Sequence, residues 1–502
     1  MDASLLAFIP LILTIVLALV LRHTLVALGA GIIAGALVLS HFQPIASLSY
    51  LADIATSQFY KQGEWQGWHL DVIATMVLLG VMTQLLARGG AVMAFGDWLY
   101  SYVRSQRHAR LVTILLGWLV FIDGIFSCLA VGNVCQPLSD RYQMRREQLA
   151  YFVDSNASPL CALLLFSSWG PYLLSLLAGV SFLPMPPVAA FFELAQTNFY
   201  AILTIGVSVF VAWKGFGFDA AVPVQTTVPS PEIGKGNPWL LLVPMVTLLS
   251  ASVGLTLYSG ATHTHQSGLA AWLAAADIGT AMRNAALLAV VMSLLMMLKS
   301  GRRVPTLLSD LYHGVISMRL AIGILLCTWM IGAVIKDLQI AAILATWAEA
   351  HLNPSFLVSG LFLLCATMAF ATGSSWGTFA IMIPIGAEIT GHVSPELLLP
   401  ALSAVVAGSV FGDHCSPISD TSVLSATSSG CEPRAHVLTQ LPFALTVALS
   451  ALVGFQMLNI GMSKLESWLI AIVALCVLLS VLQGWFRYKD AKAIAVKTLP
   501  KV

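Results

Sequence analysis

Apolar stretches of about twenty residues, separated by little more than turns, leave this chain few ways to fold. A helix needs about 20 mostly apolar residues to cross the hydrocarbon of a bilayer, and about thirteen stretches here are long enough to span or enter one. Of the 502 residues, 58% are hydrophobic and only 9% charged, more apolar surface than a soluble core can enclose. The chain therefore reads as an all-α polytopic membrane protein, solvated by lipid, in which backbone polar groups must find partners inside the protein.

Charge and cysteine usage narrow the class further. A net charge of +1, with no basic stripe or acidic tail, gives no sign of a nucleic-acid partner. The start, Met1-Asp2-Ala3, lacks the basic region of a cleaved leader, so the first apolar run is expected to be retained. Eight cysteines occur singly without a CxxC pair, which suits small core-filling side chains rather than disulfides or metal ligands. No cofactor is expected.

The plain apolar runs lie near 5–22, 24–41, 70–88, 188–213, 239–258, 276–298, 315–335, 436–457 and 464–486 and read as ordinary crossings. Four other segments, near 111–137, 148–182, 354–390 and 396–428, are interrupted by Gly, Ser, Pro or Asp. Backbone freed by such breaks cannot face lipid, so they belong in the protein interior or against a wet cavity.

Lysine and arginine accumulate on the cytoplasmic side, which tests the topology. Arg104, Arg107 and Arg110 precede segment 111–137, and Arg141, Arg145 and Arg146 follow it, so a full crossing would strand one cluster outside. A re-entrant hairpin keeps both inside. With 354–390 as a second hairpin entered from the opposite side, the expectation is about eleven transmembrane helices plus two re-entrant hairpins, N-terminus outside and C-terminus cytoplasmic. Only Lys61, Arg283, Lys336 and Lys464 then fall outside, out of 24 Lys and Arg.

This arrangement is an inverted repeat. The expected organisation is an N-terminal helical hairpin and outer loop (1–69), a first repeat (70–214), a linker (215–238), connecting helices (239–314), a second repeat (315–457), and a final helix with a basic cytoplasmic tail (458–502). Secondary transporters so built bind their cargo near the midplane, where the broken helices meet. DSNASP at 154–159 and DHCSP at 413–417 are matching breaks, whereas SSWG at 167–170 and 374–377 falls in the opposite order and is taken as coincidence.

Intramembrane carboxylates are expensive and mark functional sites. Asp123, Asp154, Asp413 and Asp420 all lie at or beside the breaks. Hard cations take oxygen ligands, and Asp413, Ser416 and Asp420, with Ser419 and Thr421 nearby, offer a sodium site. Proton and sodium then compete for one carboxylate, which suffices for exchange. The plainer alternative is that such an Asp only caps a half-helix. His414 is either a proton relay or a satisfied hydrogen-bonding group. In the second hairpin Thr372, Ser374, Ser375 and Thr378 lie among glycines, suited to close approach of an ion or equally to a packing turn. Asp140 and Glu147, among arginines, read as surface pairs.

The runs TGSSWGTFAIMIPIG at 372–386 and FGDHCSPISDTSVLSATSSGCEPRAHVLTQLP at 411–442, with FIDGIFSCLAVGNVCQPLSD at 121–140 and REQLAYFVDSNASP at 146–159, resemble the NhaC-type sodium/proton antiporter family of the ion-transporter superfamily. The resemblance covers roughly residues 70–460 and implies a transporter of the bacterial inner membrane exchanging sodium for protons. By position it carries ion or substrate binding to Asp123, Asp154, Ser158, Thr372, Ser375, Asp413, Ser416 and Asp420, with Asn156, Ser374, Thr378, His414 and Ser419 as secondary candidates. This chain departs from the family's frequent FFDDY by carrying Gly124 in place of a second acid, which leaves a small organic acid or amino acid open as alternative cargo. Expected partners are the lipid bilayer, Na+ and H+. Homodimers are common for such folds, and the sequence is compatible with one.

Two other classes fit less well. Gly412-Asp413 matches half of an intramembrane aspartyl protease motif, but Val410 stands where that motif needs glycine and no second YD motif occurs, so no enzyme is expected. Hydroxyl-lined breaks also suit a passive channel, which saturable gradient-coupled exchange would exclude.

Overall fold

The computed structural model describes residues 6–21, 23–61, 63–180, 182–217, 237–264, 275–338 and 354–498, together with 268 and 272. The proline-bearing linker expected at 215–238 lies mostly outside them. Helices account for nearly all of the described chain; a two-residue ribbon, β1 (Tyr60–Lys61) against β2 (Glu64–Trp65), is the exception.

The first part runs α1 (Ile9–Leu21), α2 (Thr24–Leu39), α3 (Pro44–Ser57), α4 (Gly67–Arg88), α5 (Ala91–Tyr100), α6 (Gln106–Leu119), α7 (Gly124–Arg141), α8 (Arg146–Ser155), α9 (Ser158–Leu163), α10 (Trp169–Ala178), α11 (Pro187–Thr197) and α12 (Phe199–Lys214). The second runs α13 (Trp239–His263), α14 (Ile278–Lys299), α15 (Val304–Ser317), α16 (Arg319–Asp337), α17 (Leu357–Thr372), α18 (Ser375–Val393), α19 (Leu398–Cys415), α20 (Asp420–Ser429), α21 (Pro433–Asn459) and α22 (Lys464–Thr498). Among the described residues eight helices are long and apolar enough to cross a membrane, or nine when α11 and α12 count as one span bent by 49°. That bend has a local cause: Asn198 leaves the helical conformation, and its side chain accepts from the Ala201 N–H at 3.1 Å, capping α12.

Three segments differ in detail from the sequence reading. Stretch 148–182 is broken twice, into α8, α9 and α10, because Asn156-Ala157 and then residues 164–168 leave the helix. The supposed plain crossing 315–335 continues from α15 through Met318 into α16, a 34-residue unit whose middle reaches the centre of the protein. Stretch 188–213 is the bent pair α11–α12 rather than a straight crossing.

Two limbs joined at a tight tip recur in each half, α6–α7 and α17–α18, and each pair packs limb on limb. Asp123 caps the returning limb α7 by accepting from the Phe126 N–H at 3.0 Å; Ser374 caps α18 by accepting from the Gly377 N–H at 3.2 Å. The halves interlock, since α20 packs against both α7 and α8, and α21 against α8 and α12. Close approach requires glycine at two points. Gly373, at the second tip, has φ +65°, and a Cβ there would lie 2.8 Å from the Ile418 carbonyl; at Gly412 one would lie 2.2 Å from the Ala366 carbonyl of α17. The second hairpin is thereby seated directly on the α19–α20 break.

Candidate functional site

Carboxylates on the packed helices fall into two groups. Asp310 binds Arg88 at 2.9 Å and Arg302 at 2.8 Å, Asp140 binds Arg146 at 2.8 Å, and Asp71 pairs with Arg283 and accepts from Thr280. Those charges are neutralised within the fold, as buried ions require. Among the described residues, by contrast, no arginine or lysine ion pair reaches Asp123, Asp413 or Asp420, and the partner of Asp154 is a histidine.

Three of these acids share one cavity of about 140 Å³, lined by both hairpin tips (Asp123, Gly124; Ser374, Ser375), the α19–α20 break (Asp413, Ser419, Asp420, Thr421) and the α15–α16 junction. Asp413, at the end of α19, is buried, and its Oδ2 accepts from Ser375 Oγ at 2.7 Å. On the other side of the cavity Asp123 Oδ2 accepts from Ser168 Oγ at 2.8 Å. Asp420, the first residue of α20, is exposed.

The SSWG echo therefore has a structural meaning that the sequence reading missed. In each copy the second serine, Ser168 or Ser375, donates to a buried carboxylate. The following tryptophans also meet, Trp169 edge-on to Trp376 with ring centroids 6.0 Å apart. Tyr172 stacks on Trp376 at 4.4 Å and donates to its carbonyl at 2.9 Å, closing an aromatic layer against the cavity. Beyond that layer lies a separate cavity of about 340 Å³ lined by His69, Trp329, Lys336 and Glu388. Asp123 also borders a cavity of about 320 Å³ that runs along α4 and α5 past Thr83, Met93 and Asn133.

The remaining candidates are placed less centrally. Ser416 Oγ donates to the Phe370 carbonyl at 2.8 Å, clamping the break to the hairpin limb, and Thr372 and Thr378 donate to carbonyls one turn back, Met368 at 2.9 Å and Ser374 at 3.0 Å. Ser419 and Thr421 hydroxyls lie 3.1 Å apart, with Ser158 3.5 Å from Thr421. Asn156 accepts from Trp118 at 2.8 Å and donates to Ser208 at 3.0 Å, holding the first break. Asp154 and His414 are not in the cavity. They belong to a wholly buried cluster with Ser422, His436 and Gln440, the last two unremarked in the sequence. Their signal was the i, i+4 spacing of two polar residues on one face of an apolar helix.

Paired hairpins and broken helices around an acid-lined central cavity define a multi-pass membrane transporter. A sequence profile described as Na+/H+ antiporter family matches residues 160–460. An uncharacterized protein of Haemophilus influenzae is 37% identical over 497 residues, 95% of both chains. The malate-2H(+)/Na(+)-lactate antiporter of Bacillus subtilis is 28% identical over 192 residues, 35% of this chain and 38% of that one. The solved structure of Neisseria gonorrhoeae MtrF, described within a class of antimetabolite efflux pumps, has a similar fold, with a TM-score of 0.58 at 15% identity over 84% of this chain and 85% of that chain. The chain belongs to the Na+/H+ antiporter family.

Proposed function

We propose that this secondary transporter exchanges sodium for protons across the bacterial inner membrane, the two ions competing for the carboxylate of Asp413. The observation that carries the reading is the state of that side chain: buried, one oxygen held by Ser375, no basic partner among the described ion pairs, and a cavity in front of it. A carboxylate so placed is costly when ionised and empty. Sodium or a proton relieves that cost, and the nearby hydroxyls and carboxylates of Ser419, Asp420 and Thr421 are oxygen donors suited to a hard cation. Because one occupant excludes the other, and the unoccupied charged site resists passage between faces, one gradient drives the other ion. With the C-terminus cytoplasmic, as the charge distribution favours, the cavity along α4 and α5 lies on the cytoplasmic side.

The test is flux in proteoliposomes. Sodium-dependent proton movement without any organic solute, lost in Asp413→Asn while the protein stays inserted, supports the proposal; normal exchange by Asp413→Asn overturns the site.

A second reading has its own support. Ser374 and Ser375 bring the N-terminal end of α18 to the cavity, where helix N–H groups can hold a small carboxylate, and the Bacillus subtilis relative is named for malate and lactate. Solute uptake coupled to sodium or protons, with no exchange in its absence, would favour it.

A further inference from the structure

On the far side of the α19–α20 break, away from the cavity, Asp154 accepts three hydrogen bonds on a single oxygen. Ser422 Oγ lies 3.0 Å, His436 Nε2 3.1 Å and Gln440 Nε2 2.9 Å from Oδ2. All four residues are wholly buried. Among the described residues Asp154 Oδ1 has no partner, and neither has His436 Nδ1. The amide of Gln440 also donates to the His414 carbonyl, so both of its hydrogens are committed.

Three donors on Oδ2 favour the ionised carboxylate, so the place for an additional proton is His436 Nδ1 rather than Asp154 Oδ1. His436 must carry hydrogen on Nε2 to donate to Asp154, and its bare Nδ1 then accepts nothing. With His436 neutral and Asp154 ionised, the cluster holds an uncompensated negative charge deep in the protein. A proton at Nδ1 turns it into a neutral ion pair without moving a side chain. The other histidine cannot serve equally, because both ring nitrogens of His414 are engaged, Nδ1 with Tyr200 Oη at 2.7 Å and Nε2 with Ser155 Oγ at 3.2 Å. Among the described residues the titratable groups that interact with Asp154 besides His436 are Cys128 on α7, Tyr200 on α12, and Asp413, His414 and Cys415 on α19.

We infer that Asp154 and His436 form a proton-binding site separate from the cation cavity, so that a transport cycle carries a proton there besides the one exchanged at Asp413. The sequential neighbours Asp413 and His414 connect the two: one lines the cavity, while the carbonyl of the other accepts from Gln440. This inference rests on the exchange reading for its place in a cycle, but not for the existence of the site.

Two measurements test it on the full-length protein. In proteoliposomes, the sodium gradient that balances a fixed pH gradient gives the proton-to-sodium ratio; His436→Gln should lower it by one proton per sodium while isotopic sodium counterflow continues, and an unchanged ratio overturns the inference. If the wild type moves no protons with sodium, the exchange reading fails and histidine titration decides alone. In ¹⁵N-histidine spectra of the purified protein, one of the 11 histidines should change protonation state over the transport pH range, vanish in His436→Gln and be displaced in Asp154→Asn. Identical titrating signals in wild type and His436→Gln would overturn the site. Should His436→Gln not fold, no displaced signal in Asp154→Asn does the same.

Discussion

Asp413 and His414 are consecutive, yet they serve opposite sides of one helix break. The carboxylate of Asp413 meets Ser375 at 2.7 Å at the cavity, whereas the ring of His414 meets Tyr200 at 2.7 Å in the buried cluster behind it. Successive residues of an α-helix point about 100° apart, so a single break exposes one side chain to the cargo and the next to the scaffold.

Ser375→Ala removes the hydroxyl that donates to Asp413 Oδ2 at 2.7 Å. A hydrogen bond to a charged group contributes about 1.5–3 kcal/mol, so the half-saturating sodium concentration should change by about tenfold or more with protein level unaffected. Initial rates of sodium uptake against concentration check this.

Gly124→Asp introduces a carboxylate at the first residue of α7, where a Cβ would lie 3.5 Å from Ser158 Oγ and 3.7 Å from Thr421 Cγ2, ordinary contact distances. An acid in the first turn also suits the helix dipole. Added negative charge beside Asp123 should lower the half-saturating sodium concentration, and a rise would contradict the cavity assignment.

Trp376→Ala takes away the ring on which Tyr172 stacks at 4.4 Å. The aromatic layer between the central cavity and the one lined by His69 and Lys336 should loosen. Expected are proton leak without sodium and faster thiol labelling, from the Lys336 side, of a cysteine replacing Ser374.

Asp310→Asn leaves Arg88 and Arg302 without their shared buried carboxylate. Breaking a buried pair costs about 3–5 kcal/mol, so the thermal midpoint should fall. Transport per folded molecule should hold, because Asp310 lies outside the cavity; this separates structural from ion-handling acids.

The features visible in the sequence were those set by composition and local breaks. Apolar length marked the helices, and the Gly, Ser and Asp interruptions marked both hairpin tips and the breaks at Asp154 and Asp413. Facing was not legible. Asp154 carries the same break motif as Asp413 but points into a cluster with His436, which lay at the head of an unremarkable apolar run. Nor did local patterning reveal that the two SSWG segments meet, since they are brought together by interlocking of the halves across some two hundred residues. That the α15–α16 junction lines the cavity was hidden because a continuous apolar run looks alike whether it faces lipid or a cavity.

Competition at Asp413 is tested most directly by the proton dependence of sodium affinity in proteoliposomes. If sodium and proton exclude each other from one carboxylate, then at proton concentrations that fill the site each tenfold increase raises the half-saturating sodium concentration about tenfold, by mass action, with the maximal rate unchanged. A half-saturating concentration independent of pH, or proton movement that does not require sodium, would contradict the account.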